Sequence, residues 1–337
     1  MRRLLMPSIL VALLGVALGF AYRYVADNPS EGSVANYLRS GAHGLVLAQG
    51  AWLTHLYFNS RRSLWLRTRP LLVQIAVRAA AMAVVVSVLA AGLQMAIYDQ
   101  RLRVTWLADE FPHIVAIVFL ASALFGTFFE LTRLIGGRRL IDIVLGRYRY
   151  PTREDRVLMF LDLAGSTTLA EAMGEVRVHD LLTRFFFDID EPFTASGGEV
   201  HAYVGDEVIV TWPLDVEARQ GRCLQCFFAV EDKIAAKADS YRREFGAVPR
   251  FRAALHAGPV VISECGNSRR QIAYFGDTVN VTARLQEHCK AVGRPLLVSG
   301  DLLNRVRPGP GLRVEALGQA GLRGRAAAIE IFAIARG

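Results

Sequence analysis

Arg156-Val157-Leu158-Met159-Phe160-Leu161-Asp162 is the stretch that decides how the second half of this chain folds. Its apolar run has strand length and is too short to be a helix of its own. The run predicts a buried strand, and Asp162 closes it. A carboxylate in that position is costly unless something positive meets it.

Working outward from this strand, helical patterns follow at about 167–173 and 178–195. Gly197-Gly198 then introduces two strands, 199–204 and 208–212, joined at Gly205-Asp206-Glu207. Residues 216–245 read as one long helix. A strand at 250–256 is expected to turn at Gly258-Pro259 into 260–263. A helix at 278–291, a strand at 296–298 and short elements ending at 327–333 complete the pattern. Strands and helices alternate without a glycine-rich phosphate loop, which predicts an α+β domain with a mainly antiparallel sheet and helices on one face.

Upstream of Pro151 the composition changes. Hydrophobic residues make up 53% of the chain, more than an ordinary soluble protein carries. The excess sits in four runs, 4–22, 41–60, 79–98 and 111–129, that lack Asp, Glu, Lys and Arg. Each is near the ~20 residues a helix needs to cross ~30 Å of hydrocarbon. The expectation is a four-helix membrane domain over 1–137, a connector over 138–155 and a soluble domain over 156–337. The first run also has the shape of a signal peptide, whose removal would leave three spans; it is read as an uncleaved anchor.

The net charge of +8 comes largely from arginines that flank these runs, so nucleic-acid binding is a poor explanation for it. Arg2 and Arg3, then Arg61, Arg62, Arg67 and Arg69, then Arg138 and its followers mark the cytoplasmic side. Both chain ends, and with them the soluble domain, are therefore expected in the cytoplasm, on a multi-pass protein of the cell membrane. Within the bilayer, Arg78 and Glu130 lie at similar depth and could pair or snorkel separately. His43, His55 and His113 are too few and too spread to favour haem. Cys223-Leu-Gln-Cys226 has metal or redox spacing, but with no second pair it reads as helix packing.

Three groups of residues carry chemistry. Asp162 and Asp206, at adjacent strand ends, are suited to a pair of Mg2+ ions for in-line displacement at phosphorus. Either aspartate alone also fits a plain turn residue. Asn280 and Arg284, at i and i+4, share one helix face just after Gly276-Asp277. An amide beside a permanently charged guanidinium suits a ribose next to a phosphate that gains charge in the transition state.

Taken together, Phe160-Leu-Asp162-Leu-Ala-Gly165-Ser166-Thr167-Thr168, Tyr203-Val-Gly205-Asp206-Glu-Val, His256-Ala-Gly258-Pro259-Val and Gly276-Asp277-Thr-Val-Asn280-Val-Thr-Ala-Arg284 resemble the class III nucleotidyl cyclases, in the right order and spacing. Gly146-Arg147-Tyr148-Arg-Tyr-Pro151 is similar to the connector of a membrane-anchored bacterial subgroup. The resemblance implies a ferredoxin-like α+β catalytic domain that turns ATP into cyclic AMP and pyrophosphate. It implies that Asp162 and Asp206 bind two Mg2+ or Mn2+ ions, with the Leu163 carbonyl near one of them. Asn280 would orient the ribose and Arg284 would stabilise the α-phosphate. It also implies a homodimer that builds each site from both copies.

The chain departs from that pattern where the family reads the purine, because those positions fall on Ala202 and Ala273. Neither can hydrogen-bond a purine edge, and His201, Tyr203, Arg270 and Gln271 are the nearby substitutes. Three functional classes follow: an active cyclase, a weakened cyclase-like domain serving as a nucleotide-binding receptor module, and a diguanylate cyclase. The missing second glycine at Gly205-Asp206-Glu207 and the intact 276–284 helix motif argue against the third.

Overall fold

The computed structural model describes residues 2–26, 34–59, 69–97, 142–143, 145–267, 270–321 and 328–337, with isolated positions at 63, 66 and between 112 and 132. The chain forms two compact units, Met1–Ile141 and Asp142–Gly337.

The first unit contains helices α1 (Arg2–Ala26), α2 (Val34–Asn59) and α3 (Leu71–Ile97). Helices α1 and α2 pack closely because small residues face each other. A Cβ on Gly44 would lie 2.1 Å from the Gly15 carbonyl oxygen, and one on Gly19 would lie 2.1 Å from that of Ser40. Ser8 Oγ donates to Gln49 Oε1 at 3.2 Å, and Gln49 Nε2 donates to the Ser8 carbonyl at 3.0 Å. Among the described residues one helix is long and apolar enough to cross a membrane, Leu71–Leu93, and α1 holds a shorter apolar segment, Ser8–Tyr24. The expected run at 111–129 falls largely outside the described residues, and His113, Glu130 and Arg138 fall wholly outside them.

The second unit is built on β1 (Thr152–Leu163), followed by α4 (Ser166–Met173), α5 (Glu175–Ala195), β2 (Glu199–Val204) and β3 (Glu207–Pro213). Next come α6 (Val216–Arg219), α7 (Arg222–Ala235), α8 (Ala238–Phe245), β4 (Phe251–Cys265), β5 (Gln271–Phe275) and α9 (Asp277–Val292). The chain closes with β6 (Leu296–Ser299), α10 (Gly300–Leu303), β7 (Leu312–Ala320) and β8 (Ile329–Arg336). The strands form one sheet in the order β2-β3-β1-β4-β6-β8-β7, with β5 paired to β4 beside this path. All pairs are antiparallel except β4 with β6.

Strand β1 is central and covered on both faces, which is why its sequence runs apolar without alternation. Val157, Met159, Leu161 and Leu163 face a core shared with α5, α7 and α8. Leu158 and Phe160 face the other way, onto Val260, Ile262 and the connector residue Tyr148. Helix α5 buries Val178, Leu181, Leu182, Phe185, Ile189 and Phe193, the stripe expected of a helix lying on a sheet.

Three expectations are corrected. Residues 216–245 are three helices rather than one. Gly221 breaks the first from the second at φ +84°, where a Cβ would lie 2.4 Å from the Arg307 carbonyl oxygen. The second break is at Lys237, which ion-pairs with the buried Asp188. Gly258-Pro259 does not turn; β4 runs straight through it, with Asp155 opposite Pro259. On its other edge β4 meets β6 at 253–255 and β5 at 261–265, so the proline, which has no N–H to give, falls between two partners. Helices are not confined to one face. Val281, Leu285 and Cys289 of α9 pack on Ala254 and Leu297, whereas the neighbouring Ala253, Leu255 and Val298 face α5 and α7. Strand β5 was not foreseen. The four-residue start of β1 at Thr152 extends it beyond the strand read from Arg156.

Candidate active site

Register places the two expected metal carboxylates side by side. Asp162 is the partner of Glu207 on β3, and the two-residue turn Gly205-Asp206 links Val204 to Glu207. Gly205 takes φ +63°, a conformation open to glycine at no steric cost. The Leu163 N–H donates to the Asp206 carbonyl at 3.3 Å, locking the strand end to the turn.

The resulting site is short of positive charge. Burial, the Asp206 charge and a hydrogen bond between the two carboxyls push the Asp162 acid up to about 6. A Gln286 hydrogen bond and the Arg252 guanidinium act in the opposite direction. Glu207 is pushed up to about 7 by burial and by the charges of Asp162, Asp206 and Glu287. An acid raised in this way would exchange its proton for a divalent cation, and with the Asp206 carboxylate beside it Asp162 fits a metal-holding role. Among the described residues no three His, Cys, Asp or Glu side chains form a metal-binding group. A cation here would complete its shell with carbonyl, phosphate and water oxygens, as Mg2+ ordinarily does.

Asn280 and Arg284 sit on α9. Its buried side, Thr278, Val281, Thr282, Leu285 and Cys289, lies on the sheet and leaves Asn280 exposed and Arg284 half-buried. The helix start is seated by Thr278, whose hydroxyl donates to the Pro259 carbonyl at 2.7 Å. Gln286, on the same helix, reaches Asp162. Around the helix axis Gln286 lies about 120° from Asn280 and about 160° from Arg284. Asn280 and Arg284 thus lie on a different side of α9 from Gln286.

Ala202 and Ala273 are both half-buried, on β2 and β5. Beside them, His201 stacks on Tyr274 with centroids 4.2 Å apart, and the Arg156 guanidinium lies 5.7 Å from the Tyr274 centroid. Tyr203 packs on Phe186 at 4.7 Å and Arg270 pairs with Glu264 at 3.4 Å. Gln271 opens β5 opposite Cys265. The connector joins the same neighbourhood. Tyr148 donates to Glu154 at 3.0 Å, and buried Arg156 pairs with Glu154 at 2.9 Å and Glu199 at 3.4 Å. Sequence reasoning missed Glu207, Arg252 and Gln286. The first two follow from strand register once β1 is paired, and the third had no sequence signal.

The family model for the adenylate and guanylate cyclase catalytic domain matches residues 149–335. The chain belongs to this family. The cyclase-family chain is 41% identical over 204 residues to "Adenylate cyclase 2" of Rhizobium meliloti (strain 1021), covering 60% of this chain and 56% of that protein. "Adenylate cyclase 1" of the same organism is 29% identical over 187 residues, covering 54% of this chain and 28% of that protein. The chain thus spans little more than half the length of the first of these relatives and under a third of the second. A bacterial light-regulated adenylyl cyclase superposes with a TM-score of 0.56 at 18% identity, covering 70% of this chain and 67% of that one. The adenylyl cyclase CyaB from P. aeruginosa gives 0.50 at 18%, covering 56% and 97%. At that identity the two structures support the cyclase fold alone.

Proposed function

We propose that this cyclase-family chain is a membrane-bound adenylate cyclase, converting ATP to cyclic AMP and pyrophosphate as a homodimer. The observation that carries the reading is the meeting of Asp162 and Asp206 at adjoining strand ends, where burial and the Asp206 charge hold back the ionisation of Asp162. Two Mg2+ or Mn2+ ions bound there, with the Leu163 carbonyl near one, would activate the ribose 3′-hydroxyl and offset the triphosphate charge. In the partner copy, Asn280 would orient the ribose and Arg284 would offset charge growing on the α-phosphate as pyrophosphate leaves. The outward set of both side chains on α9 supports a site completed by a second copy.

The membrane part of the reading rests on Leu71–Leu93 and on the other apolar runs with their arginine flanks. It makes the chain a four-span protein of the inner membrane whose residues 156–337 work in the cytoplasm, fed through a connector at 138–155. ATP is the assigned substrate because the 41%-identical relative is named an adenylate cyclase. Alanine at 202 and 273 favours a second reading, a weakened nucleotide-binding module, and loosens the choice between ATP and GTP.

Incubating the purified chain with ATP or GTP and Mg2+ or Mn2+ tests these readings. Cyclic AMP is the expected product. Cyclic GMP or cyclic di-GMP would reassign the substrate, and bound nucleotide without product would favour the module. Asp206→Ala and Arg284→Ala homodimers should each be inactive, and mixing them should restore one site. Verified heterodimers without recovered activity would defeat the shared site.

A further inference from the structure

Strand β2 does not pair evenly with β3. Val200 faces Val210 and Ala202 faces the next residue, Ile209, so His201 is the extra residue of a β-bulge. A bulge re-aims the side chain it carries, and bulges gather next to active sites. This one turns the imidazole onto Tyr274 of β5, with ring centroids 4.2 Å apart and planes 10° apart. The Arg156 guanidinium lies 5.7 Å from the Tyr274 centroid and is itself held by Glu154 and Glu199. The stack therefore fixes the plane of a half-buried imidazole, and the ring nitrogens donate and accept within that plane.

One apolar cluster ties this pair to α9. Ile209, Tyr274, Val279 and Ala283 all pack on the group that contains Phe160 and Val260. Val279 and Ala283 immediately precede Asn280 and Arg284, which lie about 6 Å apart along the helix axis. A nucleotide with its ribose at Asn280 and its α-phosphate at Arg284 therefore runs with its base towards the start of the helix. Strand β5 leads into that end, with Tyr274 three positions before Asp277. The flanking Ala202 and Ala273 carry only methyl groups, so the imidazole is the hydrogen-bonding group that the stack brings to the base. We propose that His201, held on Tyr274, reads the purine edge: a ring nitrogen accepts from the 6-amino group of adenine, where guanine has a carbonyl, and the site thereby prefers ATP to GTP. The place of the nucleotide rests on the shared-site reading above; the stacked pair does not. One copy then supplies the base, ribose and phosphate contacts, and the other supplies the metal carboxylates.

The test measures kcat/KM for ATP and for GTP with the full-length protein. The parent should prefer ATP, and His201→Ala should lower the ATP-to-GTP ratio about 5-fold, the worth of one such hydrogen bond. A parent that prefers GTP, or an unchanged ratio in His201→Ala, would overturn the proposal. So would an equal fall for both nucleotides, which is what a merely structural role gives. Tyr274→Leu removes the supporting ring and should reproduce the shift; a parental ratio there would overturn the part given to the stack. Placement controls for folding. In heterodimers of an Asp206→Ala copy with an Arg284→Ala copy, the surviving site takes Asn280 and Arg284 from the first. His201→Ala should shift the ratio when placed in the first copy and not in the second; equal shifts would overturn the assignment. An inactive heterodimer beside an active parent defeats the shared site and leaves the homodimer ratio to decide on His201. If the parent forms no cyclic nucleotide, the cyclase reading has failed, and His201 is judged by displacement of a fluorescent nucleotide with ATP and with GTP. A smaller advantage for ATP in His201→Ala supports the assignment; an unchanged advantage, or no nucleotide binding, refutes it.

Discussion

At the residue scale, Arg156 shows how one buried cation ties separate segments together. Its guanidinium meets Glu154, Glu199, the Tyr148 hydroxyl and the Tyr274 ring. Removing one partner of a buried ion pair costs about 3–5 kcal/mol, and the two carboxylates here keep some water. Arg156→Met should therefore lower unfolding stability by roughly 2–4 kcal/mol in thermal or urea melts, and a change within about 0.5 kcal/mol would contradict that account. The acid pair predicts a pH effect. Asp162 rises from 3.8 to about 6 and Glu207 from 4.5 to about 7, so the folded chain binds these protons more tightly than the unfolded chain. Their contribution to stability is complete below pH 3.8 and is lost as pH climbs through about 7. Without divalent cations, Asp162→Asn should flatten the fall in melting temperature between pH 5 and 7.5, by a few degrees at about 2–4 °C per kcal/mol. Parallel slopes for the variant and the parent would remove the acid pair as the cause.

Among the elements, α9 is the one on which most depends, and Gly258 decides where it sits. A Cβ at Gly258 would lie 2.6 Å from Thr278 Oγ1. That hydroxyl cannot swing aside, because it is bonded to Pro259 and its residue is 3% exposed. Gly258→Val should displace the start of α9 at a cost of about 1–3 kcal/mol. A misplacement near 1 Å can cost about 100-fold in turnover, so cyclase activity should fall far more than stability does. An active variant with unchanged turnover would show that α9 tolerates the shift. The sequence marked Gly258-Pro259 as a special point but not its kind. A glycine followed by proline signals a turn locally, whereas here the pair provides a docking place for a helix and a gap between two strand partners. Gly221 was likewise invisible within an otherwise helical pattern, since what forbids a side chain there is the Arg307 carbonyl, 86 positions along the chain.

For the molecule as a whole, the proposed two-copy site makes activity depend on concentration. Specific activity of detergent-solubilised protein should fall on dilution below the dimer's dissociation constant, and cross-linking beforehand should abolish the fall. Activity per molecule that stays flat down to a monomer verified by light scattering would contradict the two-copy site. Local pattern was enough to place Asp162 at a strand end, Asp206 on a hairpin and Asn280 with Arg284 on one helix face, because each depends on neighbours a few residues away. Apolar run length marked 79–98, which overlaps the span Leu71–Leu93. Strand order, the straight course of β4, the placement of α9 on the far face and the meeting of Asp162 with Glu207, Arg252 and Gln286 came only from the tertiary structure. These contacts join residues 45 to 124 positions apart, and they are set by register and packing between elements, which the periodicity of any one segment does not encode.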